Sequence, residues 1–155
     1  MIEYFGTDVR RINHALKVYG YAKSMGELEK LPREEQEILE ISAILHDIGI
    51  KEAERKYSSA AGMYQEIEGP PVAREILSKY TISDESKDRV CHLIGNHHSY
   101  SKIDGADFQI LVEADFLVNI FEDDIQREQV EIIEQKYFKT KSGRKFIESM
   151  YMNAE

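Results

Sequence analysis

The chain has 155 residues and a formal net charge of −9, with 20 Lys and Arg against 29 Asp and Glu. Its 42% apolar and 32% charged residues are typical of a folded globular chain and exclude a disordered one. The length fits a single domain over residues 1–155. The negative net charge argues against a protein that binds long nucleic acid. A small phosphorylated ligand is compatible with this charge, because a bound metal ion supplies positive charge locally.

The location of the protein is predicted from its cysteine content and its hydropathy. Cys91 is the single cysteine, which excludes an internal disulfide and fits a reducing compartment. No apolar stretch approaches the ~20 residues that span a bilayer. The opening residues, Met1 to Tyr4, lack the basic-then-apolar layout of a signal peptide. We therefore expect a cytoplasmic protein with no membrane partner.

The apolar pattern is helical along the whole chain, and runs of β-branched residues are short, so we predict an all-α fold. The first helix is predicted from Asp8 to Met25, with Thr7 as its cap and Gly26 as its stop. The apolar stripe of this helix contains Val9, Ile12, Leu16 and Tyr19, and is widened by Ala15, Val18 and Ala22.

The second helix is predicted to begin at Pro32 and to stop near Gly49. The later elements are delimited by prolines, capping serines and polar stretches. In chain order they are a polar stretch from Lys51 to Tyr64, a helix opened by Pro70 and Pro71 that runs through Leu77, a helix capped by Ser83 that runs to about His97, a loop from Ser99 to Gly105, helices from Ala106 to Phe121 and from Asp123 to Phe138, and a last short helix capped by Ser142.

Two of these apolar helices carry an aspartate. The second helix is apolar on nearly its whole circumference, yet it ends in His46-Asp47. The helix from Ala106 to Phe121 is equally apolar and contains Asp115. Local capping or an arginine partner explains one such carboxylate. A shared cation explains two of them better, because a buried ionised Asp is costly unless it is paired or bound to a metal.

The histidines fall next to these features. His14 lies at the edge of the stripe on the first helix, and apolar residues precede His97-His98 on their helix, so we expect at least one of the pair to face inward. We interpret His92 as a surface residue or as one that contacts a ligand from outside. Taken singly, each of these histidines is more typical of a structural role than of a ligand.

The ordered set of His14, His46-Asp47, His97-His98 and Asp115 resembles the HD-domain superfamily of metal-dependent phosphohydrolases. The run from Ile44 to Gly49 and the sequence Glu113 to Asp115 also look like that family's motifs. The resemblance covers roughly residues 7–121. It implies a bundle of about six to eight helices, to which residues 122–155 add C-terminal helices that either pack on the domain or form a homodimer contact.

The resemblance also implies a set of metal ligands. The residues that match the family's common metal site are His14, His46, Asp47 and Asp115. His97 and His98 match histidines that hold a second metal in binuclear members or touch substrate. Gln65 stands where those members usually carry a further His, so we expect one ion, with two ions as the alternative. A His₂Asp₂ set suits a divalent transition metal, namely Mn, Fe, Co, Ni or Zn.

Such an ion activates a water molecule near neutral pH, so we expect hydrolysis of a small phosphoester, for example a nucleotide. Three residues are assigned to catalysis: Asp47 as a metal ligand, His98 as proton donor to the leaving group or substrate ligand, and Glu66 to orient the attacking water. The cationic residues assigned to substrate are Lys51, Lys56 and Arg10, each of which is also compatible with a solvated surface position.

Two other functions are left open. The first is a non-catalytic HD-fold module that binds or senses a nucleotide. The second is a di-iron HD-type oxygenase, against which Gln65 argues, because that chemistry needs the second metal ligated by the intermediate His.

Overall fold

The computed structural model describes residues 1–153, so Ala154 and Glu155 of the predicted domain lie outside the described residues. Within that range the chain is helical and has no strand, which confirms the all-α prediction. The eight helices longer than one turn are α1 (Val9–Glu29), α2 (Arg33–Leu45), α3 (Ile50–Tyr57), α4 (Gly62–Leu77), α5 (Asp84–Ile94), α6 (Ala106–Glu122), α7 (Arg127–Tyr137) and α8 (Lys141–Ile147). None of these helices has the length and apolarity to cross a bilayer, a finding that holds across residues 1–153.

Short turns complete the described chain. A single helical turn, Ile2–Phe5, precedes α1, and a 3₁₀ turn, Tyr100–Lys102, lies between α5 and α6. A π-helical turn, Glu148–Met152, extends α8.

Helix α6 lies at the centre of the bundle, where α1 and α2 pack against it and against each other. Its apolar side chains are buried on nearly every face, as Phe108, Ile110, Leu111 and Leu117 show. A helix that is hydrophobic all round is stable only when it is covered on all sides. This arrangement brings His14 of α1, the end of α2 and Asp115 of α6 to one place.

The predicted apolar stripe of α1 is wrong in part. Val9 and Leu16 are 60% and 43% exposed, whereas His14 is buried on the same face as Val18 and Ala22. The small residues of α1 form the packing face because they allow α6 and α2 to approach closely. His14 therefore belongs to the buried face of the helix and not to its edge.

The predicted stop at Gly26 is also wrong, because α1 continues to Glu29 and ends at Lys30 with φ 61°. Gly26 is buried against α2, where a Cβ atom would lie 3.0 Å from Leu39 Cδ2. The glycine thus allows close helix packing. In the sequence, a glycine with this role looks the same as a glycine that ends a helix.

The predicted helix caps are partly correct. Ser83 caps α5, since its hydroxyl accepts the N–H of Ser86 at 3.1 Å. Asp8 and not Thr7 caps α1. Thr140 and not Ser142 caps α8. In both cases the cap is a different residue, one or two positions away, and its type also caps helices well.

The prolines are the largest local error. Pro70 and Pro71 lie inside α4, which begins at Gly62. Helix α3 occupies the first half of the predicted polar stretch from Lys51 to Tyr64. A proline inside a helix costs about 3 kcal/mol. The packing of α4 against α3 and α5 offsets this cost.

Glu113 attaches the C-terminal helices to α6. Its carboxylate is fully buried and accepts the N–H groups of Lys139 at 2.6 Å and Thr140 at 2.9 Å, as well as the Thr140 hydroxyl. Gln109 Nε2 donates to the same carboxylate at 2.7 Å. The described part of the C-terminal region therefore packs on its own domain, while a homodimer stays a prediction.

Candidate metal centre

Four side chains from three elements converge at one end of the bundle. His14 Nε2 lies 3.2 Å from His46 Nε2 and 3.2 Å from Asp115 Oδ1. Asp47 Oδ2 lies 3.7 Å from His14 Nε2 and 3.6 Å from His46 Nε2. The structure thus brings together all four residues that the resemblance implied as ligands of the common metal site.

The outer nitrogen of each of these two histidines has an acceptor. His14 Nδ1 lies 3.0 Å from Glu122 Oε2, and His46 Nδ1 lies 2.8 Å from the carbonyl oxygen of Ala43. A neutral imidazole that donates from Nδ1 carries its lone pair on Nε2. Two such lone pairs face each other 3.2 Å apart, which is repulsive unless a proton or a cation lies between them. The donor set therefore fits a divalent cation.

The charges of the cluster raise the pKa of a histidine and lower the pKa of an aspartate. Burial lowers the pKa of His46, but the charge of Asp47 and the hydrogen bond to Asp115 outweigh burial and raise it to about 9. Burial raises the pKa of Asp47, but the charges of His46 and His97 outweigh it and lower the pKa to about 2. Without a metal, the cluster therefore holds a proton on its histidines and keeps its carboxylates ionised.

A metal ion must displace this proton, so we expect Mn²⁺ to stabilise the protein more strongly as the pH rises from 6.5 to 8.5. The folded-state pKa of His46, about 9, lies above its unfolded value of about 6.5. The protonated group thus stabilises the metal-free fold below pH 6.5, and this stabilisation is lost as the pH rises toward 9. Over the same window the apparent Kd for Mn²⁺ falls by up to about tenfold per pH unit.

Thermal unfolding with and without a fixed excess of Mn²⁺ at pH 6.5, 7.5 and 8.5 measures this effect. The rise in Tm caused by Mn²⁺ is expected to increase along the series. An increment in Tm that stays constant or shrinks toward pH 8.5 contradicts the proposed competition between proton and metal.

A second group of possible ligands adjoins the first. Asp47 Oδ1 lies 3.5 Å from His97 Nε2, and Asp47, His97 and His98 each offer a ligand atom within 4.8 Å of the others. Within residues 1–153, Nε2 of His98 is buried without a hydrogen-bond partner. Burial and the neighbouring His97 lower the pKa of His98 to about 4, so this imidazole is neutral at pH 7.

Helix α4 packs directly on the turn that carries His46-Asp47. A Cβ atom on Gly49 would lie 2.5 Å from the carbonyl oxygen of Gln65 and 2.6 Å from Gly69 N, so only glycine fits here without a shift of the backbone. Gln65 is buried, and its Nε2 donates to the carbonyl oxygen of Ala60 at 2.7 Å. Its amide thereby lines a cavity of about 460 Å³ that also exposes His14 and Asp47.

The carboxylate of Glu66 contacts the turn that carries His98. Its Oε1 accepts the backbone N–H of His98, and its Oε2 accepts the hydroxyl of Ser99, both at 3.0 Å. With both oxygens bound to this turn, Glu66 positions the segment that carries His98. The geometry favours this role over the orientation of a water molecule.

The structure does not bring the predicted substrate lysines to the cluster. Lys51 Nζ donates to the carbonyl oxygen of Tyr4 at 3.0 Å, and Lys56 pairs with the carboxylate of Glu68. Neither lysine belongs to the described lining of the 460 Å³ cavity. The reason is helix α3, which the sequence pattern did not predict and which directs both lysines to other partners.

Arginine side chains do reach the cavity. Arg10 lines it and is largely exposed, with its closest carboxylate oxygen on Asp123 at 3.8 Å. Arg11 also lines the cavity but is already engaged, because it binds Glu54 through two hydrogen bonds of 3.1 and 2.6 Å. Arg10 is therefore the predicted substrate residue whose position fits that role.

Glu122 contacts the cluster and is not among the residues predicted from the sequence. Its Oε2 lies 3.0 Å from His14 Nδ1, and its Oε1 accepts Lys17 Nζ at 2.7 Å. Glu122 follows Asp115 by two helical turns and so shares its face of α6, which is the signal that would have identified it. A carboxylate in this position fixes the orientation of the imidazole and makes its Nε2 a better ligand.

Replacing Glu122 with Ala is therefore expected to weaken Mn²⁺ binding by about 10- to 100-fold. Glu122→Gln keeps an acceptor for His14 Nδ1 and is expected to lose less. Isothermal titration calorimetry with Mn²⁺ measures both, and Asp123→Ala is the matched control, because it removes the adjacent, exposed carboxylate. Equal affinity of the wild type and Glu122→Ala would show that Glu122 has no role in metal binding.

Comparison with known proteins gave a family match that spans the cluster. A family model described as HD domain matches residues 11–139, a range that contains both histidines and both aspartates of the cluster. Searches of curated proteins and of solved structures gave no match.

Proposed function

The chain belongs to the HD-domain family, and from this premise we propose that it is a metal-dependent phosphohydrolase acting on a small phosphoester, such as a nucleotide. One observation carries the proposal. Two histidine Nε2 atoms face each other 3.2 Å apart beside the carboxylates of Asp47 and Asp115, at one end of a bundle with a largely apolar core. Such a set of charges is costly to bury unless it binds a cation.

The residues that would hold the ion are His14, His46, Asp47 and Asp115. Mixed imidazole and carboxylate ligands suit Mn, Fe, Co, Ni or Zn. When bound, such an ion polarises a phosphate oxygen and lowers the pKa of a water molecule. Because Asp47 faces His14 through Oδ2 and His97 through Oδ1, one carboxylate serves both groups of ligands. We expect one ion, and a second ion beside His97 and His98 is the alternative.

His98 fits a substrate ligand better than a proton donor. Its pKa of about 4 keeps the ring neutral at pH 7, and a neutral ring is a poor source of a proton. The unpartnered Nε2, as judged over the described residues, is free to make a hydrogen bond to a phosphate or leaving-group oxygen. Glu66 holds this ring in place through the backbone N–H of His98.

Release of inorganic phosphate from the monoesters, and of 4-nitrophenol from the two nitrophenyl esters, tests the proposal. Purified protein stripped with EDTA is supplied with each of the five metals and with 4-nitrophenyl phosphate, bis(4-nitrophenyl) phosphate and the nucleoside 5′-monophosphates. Metal-dependent turnover that Asp115→Asn abolishes supports a phosphohydrolase. Bound metal without turnover of any ester overturns it, and tight nucleotide binding in that case favours the sensor alternative. Two irons per chain with consumption of oxygen favours the oxygenase.

A further inference from the structure

A second cavity, of about 630 Å³, adjoins the metal cluster. It is lined by His98 and Tyr100 from the segment after α5 and by Lys136, Tyr137 and Lys139 from the end of α7, and we call it the tyrosine groove. Its link to the cluster is His98, which also belongs to the ligand group of Asp47 and His97. A phosphorus atom held at the cluster would therefore have this groove beside it.

The groove has a rigid aromatic wall. The ring centroids of Tyr100 and Tyr137 lie 4.7 Å apart, and Tyr137 stacks on Phe116 with centroids 4.9 Å apart. Gln109 Nε2 donates to the carbonyl oxygen of Tyr137 at 2.8 Å and so fixes the backbone of the wall. Stacked aromatic side chains of this kind bind flat, partly apolar groups.

The charges of the two cavities differ in sign. The tyrosine groove contains Lys136 and Lys139, and none of the described residues in its lining is Asp or Glu. The 460 Å³ cavity contains two arginines and four carboxylates, those of Asp8, Asp47, Glu122 and Asp123. In a chain with a net charge of −9, the groove is thus a local cationic site beside the metal cluster.

From this placement we propose that the tyrosine groove binds the leaving group of the phosphoester substrate, and that this leaving group is a flat aromatic body with a negative charge of its own. The inference rests on the proposed hydrolase function. In the reaction the water oxygen bonds to phosphorus, the bond from phosphorus to the leaving-group oxygen breaks, and that oxygen takes up a proton. The products are inorganic phosphate and a hydroxylated aromatic anion, which the stacked wall and the two lysines would hold.

The test compares two esters of similar shape, 4-carboxyphenyl phosphate and 4-carbamoylphenyl phosphate, whose ring substituents differ in charge. Relative to a protein without the two groove lysines, we expect the wild type to favour the carboxylate ester about five- to tenfold in kcat/KM, from two exposed charge contacts. The double variant Lys136→Met/Lys139→Met is expected to lose this preference. Comparing the ratio of the two esters between proteins cancels their different intrinsic reactivity.

The matched control is Lys79→Met/Lys145→Met, which removes the same charge from exposed lysines outside the groove. This control is expected to keep the preference of the wild type. A groove variant whose ratio of kcat/KM values for the two esters equals the ratio of the wild type overturns the inference.

A binding measurement separates this inference from the proposed function. The same preference is expected in calorimetric titration with the leaving groups alone, 4-hydroxybenzoate and 4-hydroxybenzamide. Suppose that neither ester is hydrolysed with any metal, but that the wild type binds 4-hydroxybenzoate more tightly than 4-hydroxybenzamide and the groove variant does not. The hydrolase proposal then fails, while the tyrosine groove is confirmed as a binding site for aromatic anions. If hydrolysis occurs and neither titration nor kcat/KM shows a preference, the groove inference fails alone.

Discussion

Replacing His46 and Asp47 together with Ala is expected to abolish Mn²⁺ binding. The double variant removes two of the four proposed ligands, one of which is the carboxylate that faces both histidine groups. The loss should therefore exceed the roughly 100-fold effect of removing an outer hydrogen-bond partner of a ligand. Equilibrium dialysis followed by elemental analysis measures it: we expect at least one Mn per chain in the wild type and a background level in the variant.

A conservative variant separates metal binding from folding, because His46 is fully buried and its truncation also removes packing. Asp115→Asn keeps the size of the side chain and its contact with Asn119, and it is expected to lose Mn²⁺ while remaining folded. Asp84→Asn is the control, since the side chain of Asp84 is exposed. Unchanged stoichiometry and affinity in Asp115→Asn would falsify the assignment of Asp115 as a ligand.

Replacing Glu113 with Ala is expected to cost about 3–5 kcal/mol of unfolding free energy, the range found when one partner of a buried charged network is removed. The substitution leaves the N–H groups of Lys139 and Thr140 and the Gln109 amide without their acceptor. It also frees the start of α8 from the core. Urea denaturation followed by circular dichroism measures the change.

Glu75→Ala is the control for this variant, because Glu75 is exposed on α4 and its substitution should change stability by less than about 0.5 kcal/mol. A loss below about 1 kcal/mol for Glu113→Ala would mean that water or a rearranged backbone replaces the carboxylate. In that case Glu113 is not what attaches the C-terminal helices.

The sequence predicted the fold class from its helical apolar pattern, and the metal cluster from the charged residues that interrupt this pattern. Asp115 and Asp47 are ionisable residues in helices whose other positions are apolar, and such residues are expensive to bury without a partner. That signal is local, since each helix displays it without reference to its neighbours. The structure places both aspartates against His14 and His46, as the resemblance implied.

The errors arose where packing between distant segments decides the outcome. Pro70 and Pro71 resemble a helix start, but the packing of α4 keeps them inside a helix. Gly26 resembles a stop, but it is a point of close contact with α2. The role of Glu113 depends on a partner 26 positions away, a separation that no local pattern reveals. The contact of Glu122 with His14, 108 positions away, could be inferred only from the face of α6 that Glu122 shares with Asp115.

The central claim is that His14, His46, Asp47 and Asp115 hold one divalent ion together. A crystal structure of the Mn²⁺-loaded protein, with anomalous data collected at the manganese edge, tests it most directly. We predict an anomalous peak within bonding distance of His14 Nε2, His46 Nε2 and a carboxylate oxygen of each aspartate. An anomalous peak at any other position alone, or none in a crystal of protein saturated with Mn²⁺, would contradict the account.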